Sequence, residues 1–136
     1  MKKYLFAMLA ILPIILFTAC SSDDTNKHPI VGTWTNSNNV ETTEISFLSN
    51  GTVTDNSTLK RNGAIREYIG SYNVNKDKLT IHWEKHKDYN ALTREWSEYI
   101  TDKETVIITF NISGNKLTFV SMEGEKENNP ITYTRK

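Results

Sequence analysis

The residues best suited to bind a metal ion lie between positions 82 and 86. His82, Glu84 and His86 are spaced two residues apart, so a β-strand would present all three on one face. Ile81 and Trp83 would then point into a core, which leaves the histidines facing water. Side chains two residues apart on a strand are about 7 Å apart, which strains joint binding to one ion. We therefore predict a solvated polar face and no metal site.

Sequence patterns typical of enzymes are absent. The sequence has no Gly-x-Ser-x-Gly nucleophile turn and no glycine-rich loop of the kind that binds phosphate. Glu95 and Glu98 are close enough in sequence to suggest an acid–base pair, but such a pair is more typical of a solvated surface. We predict a protein that is not an enzyme and needs no cofactor.

Aromatic side chains are the remaining group suited to bind a ligand, by stacking against an apolar or ring-bearing molecule. If they share one interior, they either line a cavity or fill it, and the sequence leaves both outcomes open. The candidate ligand-binding residues are Tyr72, Trp83, Tyr89, Trp96, Phe110 and Phe119.

The N-terminus resembles that of a bacterial lipoprotein. Lys2 and Lys3 give a basic start, and the apolar run from Leu5 to Phe17 is shorter than the roughly 20 residues of a membrane-spanning helix. The segment Leu16-Phe17-Thr18-Ala19-Cys20 resembles a lipobox, before whose cysteine a signal peptidase cuts. The resemblance implies a signal peptide over residues 1–19 and lipidation of Cys20, the only cysteine of the chain.

A polar segment without apolar periodicity follows, and residues 20–29 are predicted to form a disordered tether. Ser21 after the cysteine favours the outer membrane by resemblance to lipoprotein sorting signals. The pair Asp23-Asp24 is similar to the export signals of surface lipoproteins in the Bacteroidetes. We expect a protein of the bacterial cell envelope, lipid-anchored to the outer membrane, and its exposure on the cell surface stays open.

Residues 30–136 have the size and composition of one all-β domain. They are rich in Thr, Ile, Val, Tyr, Phe and Trp, which fit a pleated, half-buried surface. Without Lys2 and Lys3, 14 of the 16 basic residues remain against 16 acidic ones, a net charge near −2. Because no basic patch stands out, nucleic acid is not an expected partner.

Two-residue alternation recurs along the domain and predicts strands joined by short turns. Alternating sets include Tyr68 to Val74, Leu79 to Trp83, and Val106 to Ile112, and Asn-Gly at 50–51 and 62–63 indicates hairpins. Consecutive hairpins predict an antiparallel up-and-down β-barrel of eight to ten strands, because closure removes exposed strand edges. A β-sandwich is the alternative, but it usually needs longer crossover connections.

The stretch from Tyr89 to Ile100 fits two structures. Tyr89, Leu92, Trp96 and Tyr99 have helical spacing, whereas the alternation that ends at Ile100 fits a strand. We favour a long hairpin, in which residues 79–87 pair with residues 93–100.

The domain begins Ile30-Val31-Gly32-Thr33-Trp34, and Gly-x-Trp at the start of a first strand resembles the signature of lipocalins. In that family the tryptophan closes the bottom of the barrel and an arginine of the last strand packs against it. The resemblance therefore implies structural roles for Gly32, Trp34 and Arg135. The whole pattern is similar to small lipocalin-like lipoproteins of the Bacteroidetes. Other lipocalin motifs are not found, so no lipocalin ligand is implied.

Two functions follow from these features. The leading hypothesis is a non-enzymatic envelope lipoprotein whose lipocalin-like barrel binds a small hydrophobic ligand. The alternative is a plugged barrel that binds a protein partner, as an envelope assembly or inhibitor protein. A cavity above roughly 300 Å³ would favour a small ligand, and a filled barrel with an exposed apolar patch on the hairpin of residues 79–100 would favour a protein.

Overall fold

The computed structural model describes residues 27–127 and 129–136, and the regular elements within them are all β-strands. They are β1 (Gly32–Ser37), β2 (Glu41–Phe47), β3 (Thr52–Leu59), β4 (Ile65–Asn75), β5 (Lys78–Asn90), β6 (Glu95–Trp96), β7 (Ile100–Ser113), β8 (Lys116–Met122) and β9 (Ile131–Arg135). The predicted signal peptide, Cys20 and most of the predicted tether lie outside the described residues. Over the described ranges, no helix is long and apolar enough to cross a membrane.

Eight strands form a closed antiparallel barrel, which confirms the predicted up-and-down fold. Each barrel strand pairs with the next one along the chain, and the short β6 only adds to the end of β5. The barrel closes between its first and last strands, where Trp34 pairs with Arg135 and Thr35 with Thr134. Closure leaves the eight barrel strands without the free edges that favour aggregation.

The predicted hairpins form where the turn residues indicated them. The stretch after Leu79 is also a hairpin, but the predicted pairing of residues 79–87 with 93–100 is wrong at most positions, because residues 78–86 pair with residues 100–109 of β7. β5 continues to Asn90, and Glu95–Trp96 pairs with its last two residues, so the helical alternative for this stretch is wrong.

One half of the barrel interior is filled by apolar side chains, and we call it the closed half. It lies at the end where the chain enters the barrel and where three turns, at residues 48–51, 76–77 and 114–115, join the strands. Its side chains come from alternate strand positions, as the period of two requires. The largest fully buried ones are Trp34, Phe47, Ile30, Ile45, Leu79, Ile81, Leu117 and Val53.

Trp34 and Arg135 seal this end. Trp34 is fully buried and donates its indole N–H to the Ile30 carbonyl oxygen at 2.8 Å. The Arg135 guanidinium lies 4.1 Å from the centre of the Trp34 ring and donates hydrogen bonds to the carbonyl oxygens of Pro29 and Val31. Gly32 has φ of +137°, and a Cβ there would lie 2.6 Å from the Arg135 guanidinium. Glycine is therefore needed at position 32 for its backbone and for the room it leaves the arginine.

Candidate ligand-binding site in the open half of the barrel

The opposite half of the interior, which we call the open half, carries polar side chains at the same alternating positions. On β2 the inward side chains change from Ile45 to Thr43 and Glu41 towards this end. On β3 they change from Val53 to Asp55 and then Ser57. The barrel wall therefore continues while its lining turns from apolar to polar.

A cavity of about 470 Å³ lies in the open half against β2 to β5. Its volume is within the range of small-molecule sites. It is lined by Glu41, Ser57, Leu59, Ala64, Ile65, Arg66, Tyr68, Asp88 and Tyr89.

Asp55 lies one inward position deeper than Ser57, in register with Ile45 on one side and Tyr68 on the other. Its carboxylate accepts one long hydrogen bond, from the Ser57 hydroxyl at 3.4 Å. Burial raises the pKa of Asp55 to about 6, and the negative charge of Glu41 acts in the same direction. A buried carboxyl with so little stabilisation is typical of a functional site.

Tyr133 reaches the same interior from β9. Tyr133 is only 7% exposed, yet its hydroxyl has no hydrogen-bond partner in the described part of the chain. Among the described residues, no fully buried side-chain nitrogen or oxygen lacks a partner, so this hydroxyl must touch solvent-filled space. Burial raises the pKa of Tyr133, and the charges of Asp55 and Glu41 raise it further. The hydroxyl and the two carboxylates therefore share one electrostatic environment.

Two ion pairs complete the polar lining. Arg66 donates two hydrogen bonds to Asp88, at 2.6 and 3.2 Å, and this contact lowers the pKa of Asp88. His86 Nδ1 lies 2.5 Å from an Asp102 oxygen, and the His86 ring packs against Tyr68. Both carboxylates have a cationic or histidine partner, whereas the described residues provide none for Asp55 and Glu41.

The prediction that His82, Glu84 and His86 share one face is wrong, because a β-bulge interrupts β5. Gly70 pairs with Trp83, but the preceding residue of β4 pairs with Lys85, so Glu84 is an extra residue. The bulge leaves His82 outside and exposed, where it contacts Thr105, and turns His86 inward. Within residues 27–127 and 129–136, no three His, Cys, Asp or Glu side chains are placed to hold a metal ion.

Gly70 makes the bulge possible. A Cβ at this position would lie 2.2 Å from the His82 carbonyl oxygen, a distance at which backbone must move. The two strands therefore approach each other more closely at Gly70 than any other residue would allow.

The six aromatic residues predicted to bind a ligand do not lie together. Tyr72 and Phe110 belong to the closed half: Tyr72 packs edge-on against Phe47 and donates its hydroxyl to the Leu48 carbonyl oxygen, and Phe110 is buried in the core. They are core residues because the strand positions they occupy lie near the filled end.

Trp83 and Phe119 face the interior between the two halves. The Trp83 ring lies 5.5 Å from that of Tyr68. Phe119 lies 5.1 Å from Tyr133 and lines a second cavity of about 260 Å³ with Ile108, Met122 and Ile131. These two residues are the predicted aromatics that remain candidates for contact with a ligand inside the barrel.

Tyr89 and Trp96 stack on each other at 5.2 Å on the hairpin. They share a face with Lys87, whose ammonium lies over the Trp96 ring, and this face is opposite to that of Asp88. Tyr89 reaches the edge of the 470 Å³ cavity, whereas Trp96 is 43% exposed outside it.

The hairpin tip carries an exposed apolar patch. Leu92 is 93% exposed, and Trp96, Tyr99 and Ile100 are also exposed. A groove of about 620 Å³ lies between this tip and the turn that contains Asn62. Exposed apolar patches of this kind are typical of protein-binding surfaces.

Sequence reasoning missed Glu41, Asp55 and Tyr133 as candidate site residues. Alternation from Val53 predicts an inward carboxylate at Asp55, and alternation from Ile45 does the same for Glu41. That signal was available, but only the closed barrel brings β9 and Tyr133 near both carboxylates.

Comparisons with known proteins give no match: no family model, no curated protein sequence and no solved structure matches this chain. The site therefore has to be interpreted from its own geometry.

Proposed function

We propose that this protein is a lipid-anchored envelope lipoprotein whose barrel binds a small molecule with an apolar part in its open half. It acts as a binding protein and performs no catalysis. The observation that carries this proposal is the contrast within one interior, where the closed half is filled and the open half contains a cavity of about 470 Å³.

The lining supports a ligand of mixed character. Pockets for small molecules usually combine apolar walls with a few polar groups that orient the ligand. Here Tyr68, against which Trp83 packs, supplies a ring face beside the apolar Leu59. Polar atoms come from Ser57, Glu41 and the Arg66–Asp88 pair.

The tryptophans offer a direct test with neutral phenylnaphthylamine as the probe. Trp83 faces the interior and Trp96 lies outside on the hairpin, so each reports on a different surface. We expect saturable quenching of tryptophan emission that persists in Trp96→Phe and is strongly reduced in Trp83→Phe. Quenching lost in Trp96→Phe, or an absent response in the wild type, would contradict binding inside the barrel.

A second candidate function is binding of a protein partner through the hairpin tip, favoured by the exposure of Leu92 beside the 620 Å³ groove. A photocrosslinking phenylalanine at Leu92 should then give one discrete adduct in the cell envelope. The same residue at Asn115, on the closed end, is the matched control. Equal labelling at both positions would argue against this surface.

Lipid anchoring through Cys20 is tested separately. Acyl chains contribute about 0.8 kcal/mol per buried methylene, so two or three of them hold a protein firmly on a membrane. Cys20→Ser should abolish incorporation of radioactive palmitate and release the protein from the membrane fraction. Undiminished labelling of this variant would show that Cys20 is not the acylated residue.

A further inference from the structure

We infer that the ligand of the open half carries a positive charge, an amine or quaternary ammonium attached to an apolar or aromatic group, and that Glu41 and Asp55 recognise this charge. The inference rests on the proposed function and names the ligand class of the same site.

Two carboxylates inside the barrel lack a cationic partner among the described residues. Glu41, Asp55, Asp88 and Asp102 carry carboxylates on the inner side of the open half. Asp88 is paired with Arg66, and Asp102 with His86. The described residues supply no cation to the carboxylates of Glu41 and Asp55. The one hydrogen bond that either carboxylate accepts from these residues is the 3.4 Å contact from Ser57 to Asp55. Two uncompensated carboxylates in one interior attract a cation and repel an anion.

The Tyr133 hydroxyl is a further polar group of this interior. The residue is 7% exposed and faces the interior, and no described residue accepts or donates a hydrogen bond to the hydroxyl. Because the hydroxyl touches solvent-filled space, its hydrogen bonds are left for water or a ligand to make. Tyr133, Asp55 and Glu41 occupy inward positions of β9, β3 and β2, so the hydroxyl and the carboxylates face the same interior.

Aromatic rings lie beside the carboxylates in this interior. Tyr68 lies in register with Asp55, and its ring packs against Trp83. Ring faces attract cations, and quaternary ammonium groups are bound in this way in many proteins. A metal cation is a poorer fit, because the described part of the chain offers no cluster of three ligands.

The test uses three probes that share a naphthalene ring and differ in charge: a methylammonium, a hydroxymethyl and a carboxymethyl derivative. Binding to the full chain is measured by calorimetry at pH 8. We expect the ammonium probe to bind about tenfold or more tighter than the neutral one, the preference expected of a desolvated charge pair. The carboxylate probe should bind most weakly.

Three variants assign the preference to residues. In Glu41→Gln with Asp55→Asn, the ammonium probe should fall to the affinity of the neutral probe, which itself should change by less than about twofold, since only a charge is removed. Glu44→Gln is the matched control, because Glu44 lies on the same strand but faces outward and pairs with Lys136. It should leave all three affinities unchanged. In Tyr133→Phe, the ammonium probe should weaken while the protein stays folded.

The outcomes separate this inference from the proposed function. If the neutral and ammonium probes bind equally well, or the double variant keeps the preference, the cation inference is overturned and the binding function stands. If neither these probes nor phenylnaphthylamine binds, both are overturned.

Discussion

The closed and open halves of the barrel are built from the same strands with opposite contents. In the closed half, alternate positions carry apolar side chains that fill the interior around Trp34. In the open half, the same alternation carries Thr43, Asp55, Ser57 and Arg66 around a cavity. The difference is therefore one of residue type and not of backbone architecture.

The two halves contribute differently to the stability of the protein. Apolar burial in the closed half supplies stability, because each large buried side chain contributes about 1.5–3 kcal/mol. The open half contains groups that reduce stability, such as the buried carboxyl of Asp55. Groups of that kind persist in proteins mainly where function requires them.

The largest effect should come from the closed half. Trp34→Ala removes a fully buried ring and leaves the Ile30 carbonyl oxygen without its donor, so we expect a loss of about 3–5 kcal/mol in the free energy of unfolding. Arg135→Ala should cost about 0.5–2 kcal/mol, the range for a guanidinium on a ring. Urea denaturation of both variants measures the difference. A neutral Trp34→Ala would mean that the closed half is not the source of stability.

In the open half, removing a charge should raise stability. The pKa of Asp55 is about 6 in the folded state and 3.8 in the unfolded chain, so the folded state holds more protons between these values. Stability therefore falls as pH rises from about 4 to 6, by up to about 3 kcal/mol. Asp55→Asn should be more stable than the wild type at pH 8 and match it near pH 4. If Asp55→Asn and the wild type were equally stable at both pH values, the Asp55 carboxyl would be well solvated.

The bulge between the two halves should respond to a single methyl group. Gly70→Ala places a Cβ 2.2 Å from the His82 carbonyl oxygen. Because the backbone must move to relieve this overlap, we expect the free energy of unfolding to fall by about 1–3 kcal/mol. If the bulge is lost as a result, His86 leaves Asp102, and the His86 imidazole signals should shift in NMR spectra. Ser71→Ala, at the next residue of the same strand, is the control and should leave these signals in place.

The smallest effect should come from the hairpin tip, which belongs to neither half. Leu92 is 93% exposed, so Leu92→Ser should change the free energy of unfolding by less than about 0.5 kcal/mol. Thermal unfolding measures this directly. A larger loss would place the tip in contact with the rest of the molecule and weaken the interpretation of its exposure as a binding surface.

Most of the fold was predictable from local patterns, whereas most of the site was not. Asn50-Gly51 and the alternation of Val106 to Ile112 describe a turn and a strand without reference to the rest of the chain. The site depends on which strand ends meet. Tyr72 and Trp83 both pack against the core, yet Tyr72 contacts Phe47 in the closed half and Trp83 contacts Tyr68, which lines the cavity.

The sequence by itself determined the all-β class, the order of hairpins and the inward side of each regular strand, because period-two alternation and turn residues act over a few positions. Only the tertiary structure decided three other features: closure of β1 on β9, the bulge that turns His86 inward, and the placement of Asp55, Glu41 and Tyr133 in one interior. Their physical basis is packing between residues distant in the chain. A bulge forms where two strands approach at Gly70. Whether a carboxylate has a cationic partner depends on the side chains of every strand around it.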